Sequence, residues 1–176
     1  HAAHPGRGLT SRSRPVRLDE IEGDVEDRLP VPISEFARVL GGGVVPGSIV
    51  LVGGDPGIGK STLLLQLAME MAKERRVLYV SGEESERQIK MRALRLNGVR
   101  EEALPANLLL VTETNLDIIF EHVQGTLPHI LIVDSIQTVY IPQLESTAGS
   151  VGQVRECANR LREVAKSSGM AVFLIG

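Results

Sequence analysis

A chain of 176 residues that is 43% hydrophobic fits one domain with a core of its own, which excludes disorder throughout. A formal net charge of −3 excludes a global positive field, so any contact with nucleic acid needs a local basic patch. The single cysteine, Cys157, excludes an internal disulfide and a CxxC zinc pair, and no apolar run approaches the ~18 residues of a spanning helix, so a reducing, cytoplasmic setting away from membranes is expected.

The opening residues, HAAHPGRGLTSRSRP, are rich in Arg, Ser, Pro and Gly and carry no hydrophobic signal core. An acidic stretch, LDEIEGDVEDRLP, follows, so residues 1–28 are expected to form a flexible linker and residues 29–176 the folded domain. Ser34 is placed to cap a short helix over EFARVL, stopped by Gly41 to Gly43 ahead of a turn at Val45-Pro46-Gly47. Short apolar runs then alternate with amphipathic stretches: SIVLVGG, KSTLLLQLAMEMAKERR, VLYVSG, SERQIKMRALRLNG, NLLLVTE, NLDIIFEHVQG, HILIVDS, GQVRECANRLREVAKSSG and MAVFLIG. The apolar runs are continuous, as strands covered on both faces require. This order predicts an α/β fold, a parallel sheet flanked by helices on both faces. The last run reaches Gly176 without a closing element, which points to a chain cut short.

Between the first strand run and the first long helix run, Gly54-Asp55-Pro56-Gly57-Ile58-Gly59-Lys60-Ser61 fills every fixed position of GxxxxGK[ST], with Thr62 next. Glycines let successive backbone N–H groups turn toward a phosphate, Lys60 brings positive charge to the β and γ phosphates, and the Ser61 hydroxyl can ligate magnesium. The helix that begins there adds its positive end. A glycine-rich turn with an accidental Lys-Ser should arise in such a chain on the order of one percent of the time.

A phosphate loop alone only binds, and hydrolysis needs further groups. HILIVD is a buried strand ending in Asp134, where strand carboxyl ends form a ligand crevice, and this places Asp134 as the magnesium partner of Ser61. The plainer alternative is an Asp capping the turn after a strand. VLYVSGEES ends in Glu83 and Glu84, either of which can orient and deprotonate an attacking water, with Glu83 preferred as nearer the strand end. Both glutamates also suit the first turn of the following helix.

After Asp134, residues 141–152 are rich in Gly, Ser, Thr and Gln and read as a mobile loop. The loop contains no Lys or Arg, so phosphate neutralisation would come from Arg155, Arg160, Arg162 and Lys166, or from Arg87, Lys90, Arg92 and Arg95. Solvated helix faces laced with Glu86, Glu156 and Glu163 explain the same residues equally well. Tyr140 is the aromatic near the loop that could stack on a base. His122 and His129 lack metal-ligand spacing, and Cys157 reads as a small packing residue.

Taken together, LGGGVVPGSIVLVGGDPGIGKSTLLLQ, VLYVSGEES and ILIVDSIQTVY resemble the RecA-type ATPase core, most closely the RadA (Sms) family of bacterial DNA repair proteins, from about Asp19 to Gly176. The resemblance implies a RecA-like P-loop NTPase core with the GEES strand beside the Asp134 strand. The last strand would lie between the Asp134 strand and the phosphate-loop strand. It also implies ATP and Mg2+ as ligands and hydrolysis coupled to single-stranded DNA, in recombination and repair such as branch migration. A homo-oligomeric ring, a hexamer, is implied as well, with a recombinase as partner in the cytoplasm near the nucleoid. The family's four-cysteine zinc finger, KNRFG motif and Lon-protease-like domain have no counterpart in this sequence, so zinc is expected only in a part beyond it and hydrolysis by this stretch alone would be weak. Two related readings are a DnaB-like replicative helicase core and a KaiC-like signalling ATPase that uses the paired glutamates without DNA.

Overall fold

A computed structural model describes residues 15–21, 28–30, 37–38, 41–53, 58–96 and 104–176. Ser34 lies outside them, and of the EFARVL run only Ala37 and Arg38 are described, both helical. The elements in chain order are β1 (Ile49–Val52), α1 (Ile58–Met71), β2 (Val77–Ser81), α2 (Glu86–Leu96), β3 (Leu108–Thr112), α3 (Leu116–Thr126), β4 (Ile130–Asp134), α4 (Val151–Ser168) and β5 (Ala171–Ile175). Ahead of them, a single 3-10 turn at Leu18–Glu20 buries nothing.

All five strands are parallel, in the order β1-β5-β4-β2-β3. The expected neighbours of the Asp134 strand are therefore observed: β2 on one side and β5 on the other. β2 and β5 are buried along their whole length, which explains why VLYVS and AVFLI carry no polar alternation. Alternate residues serve two cores. Val77, Tyr79, Ile130, Ile132, Ala171 and Phe173 pack under α1 and α2, against Leu64, Leu65, Ala68, Ile89 and Ala93. Leu78, Val80, Leu131, Val133, Val172 and Leu174 pack under α3 and α4, against Leu116, Ile119, Cys157, Leu161 and Ala165. Each fully buried aliphatic or Phe side chain contributes about 1.5–3 kcal/mol, and this two-sided burial holds the layers together.

Local signals set the ends. Ser85 and Gln88 form a reciprocal capping box at the start of α2: the Ser85 N–H donates to Gln88 Oε1 (2.9 Å) and the Gln88 N–H to Ser85 Oγ (3.2 Å). Asn115 caps α3 and Ser150 caps α4, while Gly169 at φ 77 closes α4 in the left-handed conformation that glycine adopts most easily. The Val45-Pro46-Gly47 turn is closed by the Ser48 N–H donating to the Val45 carbonyl at 3.1 Å.

Two expectations need correction. The segment 141–150 is irregular and mostly exposed, as its composition implies, but it is anchored at its start: Ile141 is 0% exposed and Leu144 packs on the α3–α4 core. The cause is Gln153, 1% exposed, whose amide accepts from the Ile141 N–H (2.9 Å) and donates to the Ile141 carbonyl (3.2 Å) and the Ser146 carbonyl (2.9 Å). Val151 and Gly152 also belong to α4, not to the loop. Second, the continuous run IVLV is read as covered on both faces, yet Leu51 is 64% exposed; β1 is, as the resemblance implies, without an outer neighbour among the described residues.

Candidate nucleotide site

Register aligns the strand ends. Val52, Ile175, Asp134, Ser81 and Thr112 form one row across the sheet, so Gly53, Gly176, Ser135, Gly82 and Glu113 share its carboxyl edge. In an open parallel sheet that edge is where ligands bind.

Gly54, Asp55, Pro56 and Gly57 of the phosphate motif lie outside the described residues. The chain is described again at Ile58, the first residue of α1, which places Gly59, Lys60, Ser61 and Thr62 in the first turns of that helix, above the carboxyl edge. Gly59 has open space where a Cβ would stand. Lys60 Nζ donates a 2.8 Å hydrogen bond to the Gly176 carbonyl at the end of β5, between β1 and the Asp134 strand. The motif lysine is thereby poised at the centre of the crevice.

Asp134 is half-buried at the end of β4 and accepts a 2.7 Å hydrogen bond at Oδ2 from the Tyr79 hydroxyl. Burial, reinforced by the Asp134 charge, pushes the Tyr79 phenol far above its ordinary range, so it remains a proton donor at every physiological pH. The turn after β2 is locked by its own serine. Ser81 Oγ accepts from the Glu84 N–H (3.1 Å) and donates to the Glu84 carbonyl (3.0 Å). The Gly82 N–H donates to the Asp134 carbonyl at 2.9 Å, joining this turn to β4. A Cβ on Gly82 would lie 1.9 Å from Thr138 Oγ1, so only glycine fits there. Thr138 in turn donates to the Ser135 carbonyl at 2.8 Å, and the two turns close on Asp134 together.

The paired glutamates part company. Glu84 forms an ion pair with Arg92 of α2 at 2.8 Å, with the Arg92 side chain 13% exposed and its Nε and Nη2 without an aligned hydrogen bond. Glu83 is exposed. Arg92, one of the residues expected to serve a DNA surface, is therefore withdrawn from it by burial and by Glu84.

The donors near the crevice are hard oxygens: the Ser61 hydroxyl and the Asp134 carboxylate. Among the described residues no group of three or more His, Cys, Asp and Glu could form a metal cage. This set fits magnesium, which is held by one or two protein oxygens together with nucleotide phosphates and waters.

Of the residues proposed for DNA, Arg155 is exposed, Arg160 lies 3.7 Å from Asp117, and Arg162 Nη2 donates to Asn159 Oδ1. Tyr140 is half-buried, its backbone bonded to Thr114 and Leu116. His129 Nδ1 accepts from the Arg76 N–H at 3.2 Å, an ordinary structural contact. Cys157 is buried, and burial pushes its thiol up to about 11. Tyr79, Gly82 and Thr138 were missed by motif reading, and Arg92 was given to a DNA surface instead of to Glu84. A tyrosine among aliphatics in a strand was the one visible signal, since its hydroxyl had to find a partner.

A model of the AAA domain family matches residues 12–176. DNA repair protein RadA of Streptococcus pyogenes serotype M1 is 48% identical over 165 residues, covering 94% of this chain and 35% of that protein. DNA repair protein RadA of Listeria monocytogenes serovar 1/2a is 47% identical over 170 residues, covering 96% and 36%. The chain thus spans little more than a third of the length of these curated relatives. The crystal structure of a KaiC-like protein from the hyperthermophilic archaeon Pyrococcus horikoshii superposes with a TM-score of 0.67 over 85% of this chain and 70% of that one, at 24% identity, and shares the fold. No helix among the described residues is long and apolar enough to cross a membrane. The chain belongs to the AAA domain family, with a RecA- and KaiC-like α/β fold and with RadA proteins among its relatives at nearly half identity.

Proposed function

We propose that this chain is the ATP-binding and hydrolysing core of a DNA-coupled ATPase that acts in recombination and repair. The observation that carries it is the convergence of Lys60, Asp134 and the GEES turn on one carboxyl edge of the sheet. The β and γ phosphates of ATP would lie against the backbone N–H groups from Gly54 to Thr62 and the positive end of α1, and Lys60 would exchange the Gly176 carbonyl for them. Ser61 and Asp134 would hold Mg2+, which when bound neutralises charge on the phosphate oxygens. Glu83 is assigned as the general base. It is exposed, whereas Glu84 is committed to Arg92 and holds the turn in shape. Glu83 would take a proton from water as the water oxygen attacks the γ-phosphorus and ADP leaves.

The DNA partner is read from the name of the RadA relatives and from the exposed, polar segment 142–149, with single-stranded DNA as the polymer. Arg155 and Arg162 on α4 would supply the charge, with Tyr140 as the aromatic for stacking and Arg160 divided between this role and Asp117. A hexameric ring, a recombinase partner and a cytoplasmic location complete the reading.

The test is ATP turnover by the full natural chain with and without single-stranded DNA, beside Lys60→Ala. Loss of that phosphate contact should cost on the order of a hundredfold in turnover. An unaffected Lys60→Ala would defeat the catalytic assignment, and turnover indifferent to DNA would defeat the coupling.

A further inference from the structure

Asp134 ends β4, and the side chain that reaches its carboxylate comes from the neighbouring strand, from two residues before its register partner Ser81. Tyr79 is fully buried within the α1–α2 core, yet it spends its hydroxyl on Asp134 Oδ2 at 2.7 Å. Among the described residues no other side chain hydrogen-bonds this carboxylate. A carboxylate oxygen that accepts an O–H keeps a free lone pair but is the weaker and more crowded ligand, so a cation is directed to the other oxygen. Magnesium takes one oxygen per carboxylate and keeps several waters, whereas the larger calcium accepts both oxygens.

We infer that Tyr79 is a positioning residue that restricts Asp134 to single-oxygen binding and so sets this site's preference for magnesium over calcium. The inference rests on the reading of Asp134 as the metal partner. It assigns the hydroxyl of a strand tyrosine to metal discrimination and leaves Ser61 and Asp134 as the ligands.

Equilibrium binding of a fluorescent ADP to the full natural chain tests it, with measurements in MgCl2, in CaCl2 and in EDTA. Tyr79→Phe removes one oxygen and little volume. It is expected to leave metal-free ADP affinity unchanged, to weaken the magnesium-dependent gain about tenfold, and to spare the calcium-dependent gain, as loss of a group that orients a metal ligand does. An unchanged magnesium-to-calcium ratio in Tyr79→Phe overturns the inference. Asp134→Asn separates the two claims. If it keeps the full response to metal, the reading of Asp134 itself fails. If it abolishes that response while Tyr79→Phe alters nothing, the role of Tyr79 alone fails. Should Tyr79→Phe lose metal-free binding through misfolding, Tyr79→Met carries the same comparison, since its flexible thioether refills the space without an O–H.

Discussion

A methyl group at position 82 is the smallest change that tests how tightly the catalytic edge is assembled. The added Cβ of Gly82→Ala would stand 1.9 Å from Thr138 Oγ1 and 2.6 Å from Thr138 Cβ. Rotation about χ1 moves the first atom away but leaves the second in place, so backbone must yield. Carbon atoms settle at about 3.5–4.0 Å, so the two turns must separate by roughly 1 Å even with Thr138 in its best rotamer. Overpacking of this kind costs about 1–3 kcal/mol. The shift also strains the 2.9 Å bond from the Gly82 N–H to the Asp134 carbonyl, a hydrogen bond of about 1 kcal/mol. Together these destabilise by about 2–4 kcal/mol, which in a chain of this size lowers Tm by roughly 5–15 °C. Because Glu83 follows directly, a displacement near 1 Å is expected to cost about a hundredfold in ATP turnover. Thermal unfolding by circular dichroism and steady-state turnover measure the two effects separately. A Gly82→Ala protein within about 0.5 kcal/mol of native stability and with native turnover would refute the claim that the contact between the turns positions the site.

Removing the Gln153 clamp should release the segment it holds: Gln153→Leu leaves the buried Ile141 N–H without its partner, at about 1–3 kcal/mol, while the Ile141 carbonyl keeps the Leu144 N–H (3.2 Å) and the Ser146 carbonyl turns to water. Amide exchange across residues 141–147 should accelerate more than exchange in β2 or β5. Cys157 predicts an alkaline effect. Its folded-state pKa is raised from 9.0 to about 11, so its contribution is whole below pH 9.0 and is lost as pH rises through about 11. Cys157→Ala should therefore show a shallower loss of stability across that window, and the native thiol should resist thiol reagents at neutral pH until the chain is unfolded.

Much of the architecture was legible because parallel strands announce themselves. VLYVS, ILIVD and AVFLI are continuous apolar runs, and only burial on both faces makes such runs stable as strands in water. Lys60 and Asp134 were legible for a different reason, since phosphate and metal chemistry restrict residue type and spacing within a few positions of a strand end. The anchoring of segment 141–150 was not legible because composition reports solubility and not contacts. A glutamine looks polar in sequence, yet its amide satisfies three backbone groups at once and can be buried with them.

Arg92 shows the same limit from the other side. In sequence it is one of four cations along α2, where the helical repeat offers every face equally to an observer without a neighbour to compare. Packing of α2 on α1 and β3 turned that one residue inward onto Glu84 and left Arg87 and Arg95 exposed.

By itself, the sequence determined the kind of sheet, the chemistry of its carboxyl edge and the residues available to hold a phosphate, because these follow from local patterns of hydrophobicity, glycine and charge. Only the tertiary structure decided which glutamate is engaged by Arg92, that Tyr79 holds Asp134, and that Gly82 must be bare beside Thr138. The last two depend on register between β2 and β4, which are distant in the chain, where a shift of one residue would turn Tyr79 to the opposite face, and the first depends on how α2 packs on the sheet.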